Sequence, residues 1–280
     1  MPESARCFER FIPTAFLSGF ILMACGLVAG CGGSSTPAPP IPIAAMNGNF
    51  SIAATSAGTL GINTFGGGVQ TDSAGHVAGI VHVEGSLLLC FGVQLDLPLT
   101  GTIDANGHLN ATITGSNNQS IALIATVSPN GALLTDGSYS GSGTGCASGD
   151  HGTLTGFQVQ AFTGTYSGSF SPSPSTNIGL SLVLTQSTTA DSHGRFPFSS
   201  STITVAGGSA CGFASATLVP DVSVASGNDL NLLLMGSDGV STMLFVGITL
   251  DGNTNLVRGQ VFIDTGPCSG QGGGVNLSRS

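Results

Sequence analysis

From Asn47 onward the chain reads as two copies of one unit, and that duplication limits the possible folds more than any single motif. "NGNFSIAA" at Asn47 matches "TGTYSGSF" at Thr163, and "TDSAGHV" at Thr71 matches "ADSHGRF" at Ala190. Further on, "TGSNNQS" at Thr114 matches "MGSDGVS" at Met235, and "DGSYSGSGTGC" at Asp136 matches "RGQVFIDTGPC" at Arg258. The offset grows in one direction, from 116 to 122, as small loop insertions would make it, whereas chance matches would scatter. Each copy is long enough to bury a core of its own. The units expected are residues 46–161 and 162–280.

Within each copy, short β-branched or alternating segments stand between turn signals. Asp72-Ser73-Ala74-Gly75, Asp104-Ala105-Asn106-Gly107, Ser128-Pro129-Asn130-Gly131 and Asp251-Gly252 supply residues that cap a turn or accept positive φ. Segments such as 76–83 and 108–114 alternate or are rich in β-branched residues, as half-buried strands are. No stretch after Cys31 sustains a helical apolar period; Asp229–Met235 comes nearest, but Gly227 and Gly236 bracket it too closely. The reading is an all-β chain with seven or eight antiparallel strands per copy in a meander, closed as two tandem barrels or packed as sandwiches. The glycine runs 66–68 and 272–274 read as loops.

Four cysteines fall within the repeats: Cys90 aligns with Cys211 and Cys146 with Cys268. Four cysteines allow three pairings. The duplication selects Cys90 with Cys146 and Cys211 with Cys268, one bridge inside each copy. A bridge closing a loop of this size is worth roughly 4 kcal/mol in the chain-entropy picture.

The N-terminal stretch has a different character. Arg6 and Arg10 precede a largely apolar run, residues 11–30, that ends in small residues, and Pro13 interrupts it. That order is a secretory signal, and the uninterrupted apolar part falls short of the ~20 residues of a membrane span. Val28-Ala29-Gly30-Cys31 resembles the bacterial lipobox, with Leu22-Met23-Ala24-Cys25 a second candidate from which apolar sequence still continues. The resemblance implies that Cys31 becomes the lipidated mature N-terminus, carrying acyl chains such as palmitate, and that residues 1–30 are removed. Residues 31–45 are rich in Gly, Ser, Ala and Pro and read as a flexible tether, reaching up to roughly 30 Å at about 3.1 Å per residue. Gly32, not aspartate, follows the cysteine, which by the same resemblance implies the outer membrane of a bacterial cell envelope. "FTGTYSGSF" at Phe162 is similar to the first strand of lipocalin-like and avidin-like barrels, with Tyr166 where those families favour tryptophan. That similarity implies a closed meander and brings no ligand with it.

The chain has 280 residues, five arginines, no lysine and 14 acids, for a net charge of −9. The two arginines and two glutamates before Cys31 cancel, so the mature part keeps that charge and repels nucleic acid. No nucleophile elbow is present: Gly137-Ser138-Tyr139-Ser140-Gly141 has tyrosine at its centre. A phosphate-binding loop needs a lysine that the chain lacks. His76 and His82, six apart on one strand, would share a face at about 20 Å, too far for one metal ion. Asp150-His151 has no counterpart in the second copy, and it reads as a loop pair and not a ligand. With no tryptophan and only Tyr139 and Tyr166, sugar stacking lacks its usual platform.

No catalytic, cofactor-binding or metal-binding residue is therefore assigned. The near-continuous apolar runs 121–127 and 243–250 require cover on both faces, either by packing of the two copies together or by an external partner. These readings converge on a lipid-anchored envelope protein with a non-enzymatic binding or structural role, held to the membrane by its N-terminal lipid and open to another envelope protein or an apolar ligand. An envelope hydrolase, or a carrier of a small apolar ligand, with a site assembled from distant residues is the alternative.

Overall fold

Strand alternation in this chain is strict enough to build a wall with a dry side and a wet side. In His108–Thr114, Leu109, Ala111 and Ile113 are buried while His108, Asn110 and Thr114 are exposed. Strands of this kind curl until their apolar faces meet. The computed structural model describes residues 44–85, 96–116, 118–143, 148–174, 176–199 and 201–280. Cys31, Cys90, Cys146, the signal and the tether up to residue 43 lie outside them.

The first copy forms a closed barrel of eight antiparallel strands in sequence order. They are β1 (Gly48–Ser56), β2 (Ile62–Thr71), β3 (His76–Glu84), β4 (Asp96–Ile103), β5 (His108–Thr114), β6 (Ser120–Val127), β7 (Leu133–Ser142) and β8 (His151–Gln158). Pairing of β1 with β8 closes the ring. The second copy contains β9 (Gly164–Ser173), β10 (Thr176–Leu184), β11 (Phe196–Pro197), β12 (Thr202–Ala206), β13 (Ser215–Leu218), β14 (Val224–Ser226), β15 (Asp229–Gly236), β16 (Thr242–Ile248), β17 (Leu256–Thr265) and β18 (Gly272–Arg279). Ten elements make eight staves. β13 and β14 both pair with the same edge of β15, and β12 and β11 pair with β13 and β14 respectively, so each couple is one interrupted stave. Pairings β9–β18 and β15–β16 complete a second closed ring.

Each barrel holds its own core, the first around Phe50, Phe65 and Leu97 and the second around Tyr166, Phe170 and Phe245. Phe50 and Tyr166, at matching places in β1 and β9, are both 0% exposed, so the aromatic opening of each copy anchors a core. Eight strands leave an interior just wide enough for side chains, and these side chains fill it.

One turn recurs. The Oδ1 atoms of Asp72, Asp104 and Asp191 each accept two backbone N–H groups, from Ala74 and His76, from Asn106 and His108, and from His193 and Arg195, at 2.8–2.9 Å. Gly75, Gly107 and Gly194 complete these turns with φ of +85°, +82° and +75°, where a side chain would be strained.

Two sequence expectations are corrected. The glycine runs 66–68 and 272–274 are not loops: the first lies within β2 and the second opens β18. Glycine enters a strand where another backbone comes close, and a Cβ on Gly66 would stand 2.9 Å from the backbone of Gly227. The apolar runs, in turn, are not covered on both faces by the opposite barrel. Met243 and Phe245 point inward, while Leu244, Val246 and Ile248 remain 38%, 40% and 38% exposed on the outer wall. The barrels touch elsewhere, through β1–β4 and the chain at the end of β8.

The Cys211–Cys268 disulfide, with sequence separation 57, joins the 3-10 turn Gly208–Cys211 to the β17–β18 connection.

Candidate binding cleft at the barrel junction

Both barrels belong to one compact unit, Ile41–Ser280, and their junction is built on backbone. The glycines of β2 present a wall without side chains, and the β14–β15 turn lies directly on it. Asn49 donates from Nδ2 to the Gly227 carbonyl and accepts from the Gly227 N–H, both at 2.7 Å. Ser226 Oγ donates to the Gly66 carbonyl at 3.0 Å, and Ser51 Oγ donates to Asn228 Oδ1 at 3.0 Å. The β10–β11 hairpin supplies a second tie, with Gly68 N–H donating to the Gly194 carbonyl at 2.8 Å. A third joins Gln160 N–H to the Gly252 carbonyl at 3.0 Å. Asn49 is 4% exposed, so these bonds satisfy groups that water cannot reach.

Beside this contact the outer walls diverge into an open cleft of about 530 Å³. Asn47, Gln70 and Ile80 line it from the first barrel, and Thr188, Asp191 and Phe196 from the second. Asn47, Gln70 and Thr188 are exposed and offer amide and hydroxyl groups above a partly apolar floor. Asp191 is the acid of this lining, and its charge is already matched: Arg195 donates to its Oδ2 from Nε at 3.1 Å and from Nη2 at 2.9 Å. Burial opposes ionisation of Asp191, yet the N–H groups of Arg195 and His193 and the Arg195 guanidinium together hold its carboxyl below the usual range. The cleft is thus polar without net charge.

Two further polar clusters are assembled by the fold. At the junction, His82 Nε2 lies 3.2 Å from Asp96 Oδ1 and 3.1 Å from the His193 carbonyl, and His193 Nδ1 pairs with Asp96 Oδ2. At the rim of the first barrel, Ser56 Oγ and Tyr139 OH each donate to Asp150 at 2.6 Å. Burial, and then the hydrogen bond to Asp150, push the Tyr139 hydroxyl up to about 12. This cluster ties β1, β7 and the loop entering β8.

His76 and His82 do lie on the outer face of one strand, and they serve different neighbours: His76 Nδ1 pairs with Asp72 at 2.9 Å. His151 Nδ1 meets only its own loop, at the Gly149 carbonyl, 3.2 Å away. Among the described residues no group of three or more His, Cys, Asp or Glu side chains is arranged to hold a metal ion. Sequence reasoning missed His193 and Asp96, which meet across 97 positions. It also missed Asn49, whose partner Gly227 is 178 positions away. No local pattern announces either meeting.

No protein-family model matches the chain. No curated protein matches it either. Among solved structures, a protein of unknown function from the DUF3598 family of Nostoc punctiforme is 11% identical with a TM-score of 0.22, covering 85% of this chain and 96% of that one. The Burkholderia oklahomensis agglutinin is 12% identical with a TM-score of 0.20, covering 83% and 95% respectively. Superpositions this loose carry neither fold nor function across.

Proposed function

We propose that this chain is a lipid-anchored, non-enzymatic binding protein of the bacterial cell envelope, tethered through Cys31 and using the cleft between its barrels to hold a neutral, hydroxyl-rich ligand such as a short glycan. The observation that supports this reading is the cleft lining. Exposed Asn47, Gln70 and Thr188 line it together with apolar Ile80 and Phe196, and the acid of the lining is neutralised by its own arginine. Such a surface can exchange hydrogen bonds with hydroxyl groups and has little to offer an ion. On this reading the ligand lies outside the side-chain-filled barrel cores, in the open cleft, which leaves room for a chain to pass through it.

Two measurements test the reading. A panel of neutral oligosaccharides should contain at least one that raises the melting temperature saturably, as mass action requires of a ligand that binds only the folded state. Ala78→Trp, which fills the cleft from an exposed position on β3, should remove that rise while leaving the ligand-free melting temperature nearly unchanged. A panel that produces no saturable rise overturns the ligand class. For the anchor, labelled palmitate should enter the wild-type chain and not Cys31→Ser, and the variant should leave the membrane fraction. Labelling that persists in the variant overturns the lipid site.

A further inference from the structure

The outer walls of the two barrels carry different residues at the same places in the duplicated plan. On β16 and β17, Leu244 stands beside Phe262, Val246 beside Gln260 and Ile248 beside Arg258, and all of these side chains are exposed. Leu233 of β15 borders Leu244 and is half-buried. At the equivalent places on β6 and β7, 122 positions earlier, Ala122 stands beside Ser140 and Ile124 beside Ser138. Asp136 holds the place of Arg258, and Ser142 that of Asp264. The plan therefore closes a barrel with a largely polar wall here, so the apolar wall of the second barrel is not a requirement of closure. Contiguous exposed apolar residues with a polar rim mark a contact surface.

The charges at its two ends select the occupant. Along the outward row of β17, Arg258, Gln260, Phe262 and Asp264 follow at two-residue steps, which sets cation and anion about 20 Å apart, on either side of the Phe245–Val261 pair. Neither Arg258 nor Asp264 has an ion-pair partner among the described residues. A two-fold axis lying in the face, across the strands at that pair, turns the row end for end. It sets Arg258 of one molecule against Asp264 of the other, twice, with Leu244 against Val246 and Phe262 against Gln260. Beside Gln260, β18 carries Gly274, where a Cβ would meet open space, so the Phe262 ring of the other molecule has room. Such reciprocal matching is what a self-complementary two-fold interface demands.

We propose that this wall is a homodimer contact: two molecules pack β15–β17 face to face about that axis, with Leu244, Val246 and Phe262 at the centre and two Arg258–Asp264 pairs at the rim. Two sheets packed in this way keep their strands roughly aligned. The face runs about 20 Å along strands about 4.8 Å apart, which is small for a permanent dimer. Association is therefore expected at micromolar concentrations and above.

Sedimentation equilibrium of the chain from residue 31 onward, with Cys31→Ser so that no lipid is attached, reads the contact as a monomer–dimer equilibrium. Leu244→Ala with Phe262→Ser gives the second barrel the residues that the first has at these places and should weaken the dimer about tenfold or more, with the circular dichroism spectrum unchanged. Arg258→Asp and Asp264→Arg should each weaken it about fivefold, and the two combined should return the constant to within about threefold of the wild type. The charge exchange keeps the test intact if the apolar pair does not fold. A monomer at every concentration up to about 1 mM overturns the contact. So does a dimer that the apolar pair leaves intact, or a charge exchange that restores nothing. A chain that stays monomeric and floats with phosphatidylcholine vesicles, and loses flotation with Leu244→Ala and Phe262→Ser, assigns the wall to a lipid surface and overturns the dimer.

Discussion

The two barrels share a strand plan and differ in continuity. In the first, each of the eight staves is one strand; in the second, the third and fourth staves are broken, into β11 with β12 and β13 with β14. The breaks coincide with the contacts. The hairpin leading into β11 carries Gly194, and the turn leaving β14 carries Ser226, Gly227 and Asn228, which are the groups that reach β1 and β2. On the second barrel's side the contact groups sit where its ladder is interrupted, so ladder bonds given up there leave turn backbone and side chains available for docking. At the far end of the same broken stave the Cys211–Cys268 bridge ties the 3-10 turn down. One duplicated plan has thus diverged into a platform and a docking partner.

The largest expected effect comes from removing that tie. A bridge spanning 57 residues is worth about 4 kcal/mol. Cys211→Ser together with Cys268→Ser should therefore destabilise the second barrel by that amount in denaturant unfolding, with amides of β9–β18 losing protection before those of β1–β8. If both barrels lose protection together, the platform is not independent of its partner.

A smaller effect follows from giving the platform a side chain. Gly66→Val puts atoms where the Gly227 backbone lies and should cost about 1–3 kcal/mol through overpacking. Calorimetry should then resolve two transitions, one per barrel. A single unsplit transition at the wild-type temperature would mean that the glycine wall is not the docking surface. Asn49→Ala acts at the same place more gently, leaving the buried N–H and carbonyl of Gly227 unpaired. About 1–3 kcal/mol is the expected range for such groups, towards its low end if water enters the junction, measured as the fall in stability of the second barrel alone.

The smallest effect is alkaline and belongs to the platform. Tyr139 resists ionisation up to about 12 in the folded chain, against an ordinary 10. Its contribution is complete below pH 10 and is lost as pH rises through about 12. The wild type should lose stability between those values, and Tyr139→Phe should lose less over the same range. Equal slopes in the two proteins would detach Tyr139 from the rim cluster with Asp150.

Much of this architecture is readable in the residues because it follows from short-range rules. Period-two burial in His108–Thr114 and the Asp-x-x-Gly turns at Asp72, Asp104 and Asp191 need only a few neighbours to express themselves. The matched positions of Cys211 and Cys268 in the duplication led to a bridge that the second barrel contains. The aromatic start of the second copy, with Tyr166, pointed to a closed meander, and the structure buries both Tyr166 and its counterpart Phe50 in the barrel cores.

The run at 66–68 shows where that legibility ends. Three glycines look locally like a flexible linker, and only a second backbone pressed against them, 161 positions away in sequence at Gly227, turns them into a wall. The same holds for Leu244, Val246 and Ile248: their hydropathy suggested cover, but whether the other barrel would supply it depended on which wall it chose. His82, Asp96 and His193 are ordinary surface residues until docking brings them together. By itself the sequence determined strand, turn, duplication and bridge, since each rests on the chemistry of near neighbours or on a count. The junction and the cleft were decided by tertiary structure, because each is made where two independently closed surfaces touch, and no residue in either surface encodes the other.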